Sequence, residues 1–231
     1  MAQDRARGVD ARASALSPEV ILEAALRISD AENDLSGLTV RRLAAELGVG
    51  TMTLYSYFRG KEELLDSMAD HVLGRLELPE PEPEEDPATA LRVVSRVFLD
   101  LMRSHPSVVR LFATRVTTSP VARRGAMEAV LERLVSAGIP GPLAVRCYGF
   151  LITYAIGFAS YQAPRPWGRP GGEGEELRRQ QRHFYAAMPA DDFPRLVELS
   201  DRLVELPSDE QYAFGVEAFI GSVLRDLSAA R

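Results

Sequence analysis

Leu38-Thr-Val-Arg-Arg-Leu-Ala-Ala-Glu-Leu-Gly-Val-Gly-Thr-Met-Thr-Leu-Tyr-Ser-Tyr-Phe-Arg-Gly-Lys61 is the stretch whose reading decides the fold. Its apolar positions are Leu43, Ala44, Leu47, Val49, Leu54 and Phe58. Two short helices that meet at a steep angle need a small residue at their crossing and a residue tolerant of positive φ in the turn. Ala44 meets the first need and Gly48 the second, while Val49 and Leu54 seal the turn against the first helix. That spacing is a helix-turn-helix, whose second helix enters the major groove of DNA. Its exposed positions are expected to be Thr51, Met52, Thr53, Tyr55, Ser56 and Tyr57. They are hydroxyl-rich and uncharged, suited to phosphates, base edges and thymine methyls. Thr39, which caps the first helix, and Arg41 and Arg42 in its first turn complete the near side of the candidate nucleic-acid surface.

Charge supports this locally and opposes it globally. Leu38 to Lys61 carries Arg41, Arg42, Arg59 and Lys61 against Glu46 alone, a net of +3. Residues 1–77 together hold nine bases and thirteen acids, a net of −4. A domain so acidic binds DNA poorly without a focused basic face, so binding depends on that face and on dimerisation; the competing reading of the stretch is a capped helical hairpin with solvated arginines. Lys61 is the only lysine in a chain of 27 basic residues.

The rest of the composition narrows the classes. At 231 residues, 46% hydrophobic and 26% charged, the chain can bury a core in one large domain or two small ones. A single cysteine, Cys147, excludes an intramolecular disulfide framework and any CxxC site, and points to a reducing, cytoplasmic setting. His71, His105 and His183 are too few for a multi-histidine metal site, and no cofactor is expected. The charged opening residues lack the apolar core of a signal peptide. Cys147 to Pro164 runs 18 residues without a charge, but Gly149, Gly157, Ser160, Gln162 and three tyrosines mark it as a bundle helix, not a membrane span.

Periodicity is helical almost throughout, and the fold class is all-α. A flexible arm, 1–16, precedes Ser17-Pro18, which opens the first helix with an N-cap and an N1 proline. A small three-helix DNA-binding domain with a linking fourth helix spans 17–77. Leu78-Pro-Glu-Pro-Glu-Pro-Glu-Glu-Asp-Pro87 then offers four prolines and five acids, an extended spacer expected to make few packing contacts. Residues 88–231 form a larger helical domain, with elements near 88–104, 106–115, 120–137, 143–163, 175–188, 191–205 and 208–228. A Pro/Gly-rich loop, Pro164 to Gly174, divides them.

At Gly48-Val-Gly-Thr-Met-Thr-Leu-Tyr-Ser-Tyr-Phe-Arg-Gly-Lys-Glu-Glu-Leu64 the sequence resembles the TetR/AcrR family of bacterial transcriptional regulators. It looks like that family's Gly-Val-x-x-x-(Thr/Ser)-(Leu/Ile)-Tyr-x-(His/Tyr)-Phe-x-x-Lys-x-x-Leu signature, and Leu38-Thr-Val-Arg-Arg-Leu-Ala matches upstream. The resemblance is specific over about 18–77, with length and helicity agreeing beyond. It implies that Lys61 grips a phosphate, that Thr53 and Tyr55 contact the DNA backbone, and that Arg41 reaches toward a base. It further implies a C-terminal domain that dimerises and holds a small-molecule effector. The function expected is therefore a ligand-responsive regulator, a repressor, released from a palindromic double-stranded operator by a small apolar effector.

Residues of the second domain permit this independently. Tyr212, Val216, Phe219, Ile220, Val223 and Leu227 form one stripe in 208–228, beside small Gly215, Ala218 and Ser222. Gly149, Thr153, Gly157 and Ser160 make a similar smooth row in 143–163, and these two helices are the expected homodimer bundle. Candidate effector contacts are Phe98, Met102, His105, Phe112, Tyr148, Tyr154, Phe158 and Trp167, each of which, taken singly, reads more readily as core than as pocket. The competing classes are a helical binding or adaptor module without DNA contact, and a helical enzyme. No GxSxG, HExxH or Walker pattern supports the latter.

Overall fold

The computed structural model describes residues 16–32, 34–116, 119–168 and 172–229, and every regular element among them is helical. The arm expected over 1–16 lies outside them save for Leu16, as do Asn33 and residues 169–171 of the Pro/Gly loop. In chain order the helices are α1 (Pro18–Glu32), α2 (Val40–Leu47), α3 (Thr51–Tyr55), α4 (Lys61–Gly74), α5 (Pro87–Ser104) and α6 (Val109–Thr114). One turn, α7 (Pro120–Ala122), runs through a π-helical segment, Arg123–Glu128, into α8 (Ala129–Ser136). Then follow α9 (Gly141–Gln162), a 3-10 turn (Pro166–Gly168), α10 (Gly172–Ala186), α11 (Pro194–Glu198), α12 (Ser200–Leu203) and α13 (Asp209–Ala229). The single helix expected over 191–205 is two short ones, broken at Leu199.

The chain folds as two compact units. The first joins the residues up to Glu80 with Leu99–Glu132, and the second joins Pro81–Phe98 with Arg133 onward. The first unit therefore takes in the end of α5, α6 and the π segment as well as α1–α4.

Its main core is one large cluster, with a smaller one of Leu73, Ala122 and Ala126 beside the end of α4. Ile21, Leu22, Ala25, Leu26 and Ile28 of α1 meet Leu43 and Ala44 of α2, Leu54 of α3, Phe58, and Leu64, Leu65, Met68 and Val72 of α4. Val108 and Leu111 close it from α6 and the turn before it. The first helix starts where the sequence says it should, since Ser17 Oγ accepts from Val20 N at 3.3 Å. The α1 C-terminus is pinned from elsewhere: Asp30 accepts from Ser107 N (3.1 Å) and Ser107 Oγ (2.5 Å), and its other oxygen lies 3.0 Å from His105 Nδ1. Burial pushes the Asp30 carboxyl up, but the hydrogen bonds from His105 and Ser107 outweigh it and hold it below its usual range.

Within the second unit α9 and α13 pack through aromatic rings. Tyr154 stacks on Tyr212 at 5.0 Å and Phe150 on Phe219 at 3.8 Å, with Gly215 of α13 leaving room for the Tyr154 ring. Tyr212 hydroxyl in turn donates to Ser95 O on α5 at 2.9 Å. Although α9 is long and apolar enough to cross a bilayer, Ala144, Cys147, Leu151, Ala155, Phe158 and Gln162 form a buried face along it. Burial pushes the Cys147 thiol up to about 11, as suits a small hydrophobe in a helical core.

The proline-rich run is less detached than its composition suggests. The Glu85 side chain is buried and makes a bidentate ion pair with Arg133 of α8, so the expectation of few packing contacts fails at its C-terminal end.

Candidate nucleic-acid interface

The turn between α2 and α3 has the geometry the sequence demands. Thr39 is the N-cap of α2, and its hydroxyl accepts from Arg42 N at 3.2 Å. Gly48 ends the helix at φ 66°, ψ 31°, the left-handed region that a side chain would strain. Its amide and that of Val49 return to the Ala45 and Ala44 carbonyls. Leu54, the one buried residue of α3, locks that helix onto Leu43 and Ala44. Thr51, Met52 and Tyr55 on its other faces are exposed to solvent.

Most of the candidate contacts are open to solvent. Thr39, Arg41, Arg42, Thr51, Met52, Tyr55 and Ser56 are exposed, and Thr53 and Lys61 are half-buried. Arg42 is already engaged, its guanidinium 2.6 Å from Glu32 Oε1. Ser56 Oγ donates to Thr53 O at 2.7 Å and so retains only acceptor capacity. Tyr57 departs from expectation: it is half-buried against the core, and its hydroxyl donates to Leu16 O at 2.9 Å. Helical spacing predicts an exposed position for it, but α3 ends at Tyr55 and the chain then turns Tyr57 inward.

Lys61 opens α4 and donates to Leu35 O at 3.2 Å. That bond uses one of its three N–H groups and leaves two for an anion. The cap before it is reinforced by Glu63 Oε2, which accepts from Arg59 N at 2.6 Å. Neither partner, Leu35 nor Glu63, carries a spacing signal that would have identified it.

One side of α4 is gripped along its whole length. Arg115 reaches Glu62 (2.6 Å) and Asp66, Ser119 N donates to Asp70 Oδ2 (3.1 Å), and Gly125 of the π segment lies against Gly74. A Cβ on Gly125 would sit 2.9 Å from Gly74 O and 3.0 Å from Leu73 O, so only glycine permits this approach. The four residues 62, 66, 70 and 74 are spaced by four and share one helix face. On its other side, His71 Nε2 is buried without a hydrogen-bond partner, and burial first, then Arg75, pulls its pKa below the usual value.

The candidate effector residues are divided. Phe98, Tyr148, Tyr154, Phe158 and Trp167 belong to the second unit, where Phe98 and Tyr148 pack edge to face at 5.8 Å and Phe158 tilts against Tyr154 and Tyr212. Met102, His105 and Phe112 belong to the first: Met102 is fully buried, Phe112 packs against the core, and His105 holds Asp30. Trp167 lies on the 3-10 turn, and its carbonyl accepts from Arg178 Nε at 3.1 Å. An open groove of about 480 Å³ in the second unit is lined instead by α10 residues Glu175, Arg178, Arg179 and Arg182 with Asp201, Val204 and Glu205.

A helix-turn-helix with a solvent-facing second helix, joined in one chain to a second helical unit, is the arrangement of a DNA-binding regulator. Comparison with known proteins makes this specific. Residues 21–68 match the description "Bacterial regulatory proteins, tetR family", and residues 79–223 match "Tetracyclin repressor-like, C-terminal domain". The chain belongs to the tetR family. It is 33% identical over 210 residues to the HTH-type transcriptional repressor DrrR1 of Streptomyces coeruleorubidus, covering 89% of this chain and 76% of that one. Apo ActR from Streptomyces coelicolor superposes with a TM-score of 0.75 at 31% identity, over 94% of this chain and 98% of ActR. ActR in complex with actinorhodin gives 0.73 at 32% identity, over 90% and 95%. The chain is accordingly a ligand-responsive, DNA-binding transcriptional repressor, and these relatives are regulators, not enzymes.

Proposed function

We propose that this repressor binds a near-palindromic operator as a homodimer in the cytoplasm and leaves it when a small, largely apolar effector binds. Residues 17–77 would be the DNA-reading domain with its linking helix, 78–87 the spacer, and 88–231 the effector and dimerisation domain. The observation that carries the reading is the pairing of a left-handed Gly48 turn with an α3 whose Thr51, Met52 and Tyr55 face solvent. Lys61 grips a phosphate and so positions the dimer, and Arg41 reaches toward a base. Thr39, Arg42, Thr53 and Ser56 add polar contacts, and Tyr57 positions α3 through Leu16.

Two-fold symmetry is supported by the free faces of α9 and α13. Gly149, Thr153, Gly157 and Ser160 on one, and Phe214, Ala218 and Ser222 on the other, are exposed. A Cβ at Gly149 or Gly157 would meet nothing within 4 Å. Smooth, apolar helix faces of this kind suit a four-helix bundle between two copies. The effector reading rests on the aromatic residues of the second unit, Phe98, Tyr148, Tyr154 and Phe158, and on ActR having been solved with actinorhodin and with (S)-DNPA. A hundredfold loss of DNA affinity needs a coupling of about 2.7 kcal/mol between the two sites.

Selection of bound fragments from genomic DNA, followed by titration at several salt concentrations, tests the proposal. A symmetric site bound by a dimer, with affinity falling steeply as salt rises, is expected. A monomer at micromolar concentration with operator present would overturn it. Ligands that stabilise the protein without releasing operator would remove the coupling.

A further inference from the structure

We propose that Met52 determines sequence specificity by packing on the 5-methyl group of a thymine in each operator half-site. This inference rests on the DNA-reading function of α3. Thr51-Met-Thr-Leu-Tyr55 contains no amide, guanidinium or carboxylate, so this helix cannot form the bidentate pairs that single out guanine, adenine or cytosine. Leu54 is buried in the core, and Thr53 is half-buried with its carbonyl taken by Ser56 Oγ. Three side chains are left facing outward: Thr51, Met52 and Tyr55. The two hydroxyls can each donate once and also accept, so they fit a phosphate as well as a base and discriminate weakly.

Met52 differs in kind. It is 78% exposed at the second position of α3, and isolated exposure of an apolar side chain is by itself ordinary. Its position gives the exposure meaning, because the N-terminal residues of a recognition helix are those that reach base edges. The apolar feature on a base edge in the major groove is the thymine C5 methyl. An unbranched thioether with three rotatable bonds can follow that methyl without a fixed angle. Ser56, one turn further along, is too short to compete for the same depth.

The test uses the full-length protein and operators selected from a random DNA library. Each thymine in the selected site is then replaced by deoxyuridine, which removes the methyl group and nothing else. One thymine per half-site is expected to weaken wild-type binding about fourfold when replaced, or about fifteenfold when both half-sites are changed, as for the exposure of one methyl group. Met52→Ala should bind the thymine operator more weakly and show no further loss with deoxyuridine, whereas Met52→Leu should keep most of the penalty. If no deoxyuridine replacement affects the wild type, or if Met52→Ala suffers the same penalty, the methyl is read by another group such as Thr51 and the proposal is overturned. A library that yields no enriched sequence removes the DNA-reading function of α3 and this inference with it.

Discussion

Arg133 and Glu85, 48 residues apart, meet side by side with 6% and 4% of their side chains exposed: Nε to Oε2 at 2.9 Å and Nη2 to Oε1 at 2.5 Å. A buried pair of this kind is costly to break from one side, since the survivor is left charged in the interior. Arg133→Met should lower stability by about 3–5 kcal/mol. The double variant Glu85→Leu/Arg133→Met should recover most of that loss, as read by chemical denaturation. A single variant with unchanged midpoint would show that water reaches the pair.

Lys61→Ala should weaken operator binding while leaving sequence preference intact, because a phosphate contact positions the protein without reading bases. Loss of one contact per protomer should reduce the slope of log affinity against log salt by about 2 for a dimer. An unchanged slope would place the ammonium away from the DNA backbone.

Gly125→Ala tests the helix crossing at the end of α4. The added methyl would meet backbone oxygens at 2.9 and 3.0 Å, which cannot rotate aside as a flexible side chain would. A loss of about 1–3 kcal/mol is expected, comparable to other overpacked sites. A thermal midpoint equal to wild type would mean that the π segment relaxes freely.

Acid should destabilise the first unit in two steps. His71 has a folded pKa below its ordinary 6.5, so its contribution is complete above that pH and is lost as pH falls through the folded value. Asp30 is held below its ordinary 3.8, so its contribution persists to lower pH and disappears as pH falls through its own folded value. Thermal unfolding across pH should therefore show a flatter profile below 6.5 for His71→Gln, and a change confined to more acidic solution for Asp30→Asn. Superimposable profiles for wild type and His71→Gln would refute the assignment.

What could be read from the residues alone followed from local rules. Ser17, Thr39 and Gly48 announce helix ends through their own side chains or lack of one, and they end helices as expected. Tyr57 failed because α3 stops two residues earlier, which no propensity signals. Glu85 failed because an acidic, proline-rich run reads as solvated until its partner, far away in sequence, is known. Arg115, Ser119 and Gly125 were likewise invisible as partners of α4, although the period of Glu62, Asp66, Asp70 and Gly74 was there to be seen. Sequence periodicity finds the face of a helix and not what will cover it.

Gripped at 62, 66, 70 and 74, α4 resembles a rack engaged at four successive teeth. It can neither slide along its axis nor roll without disengaging Arg115, Ser119 and Gly125 in turn. The helix that presents the chain's sole lysine should therefore open as one cooperative block with Arg115 and the segment from Ser119 to Glu128. Hydrogen exchange would report this as a shared protection level for the amides of both, higher than that of Thr51–Tyr55, which is held mainly by the Leu54 side chain. The reading helix would then breathe against DNA on a mount that stays closed.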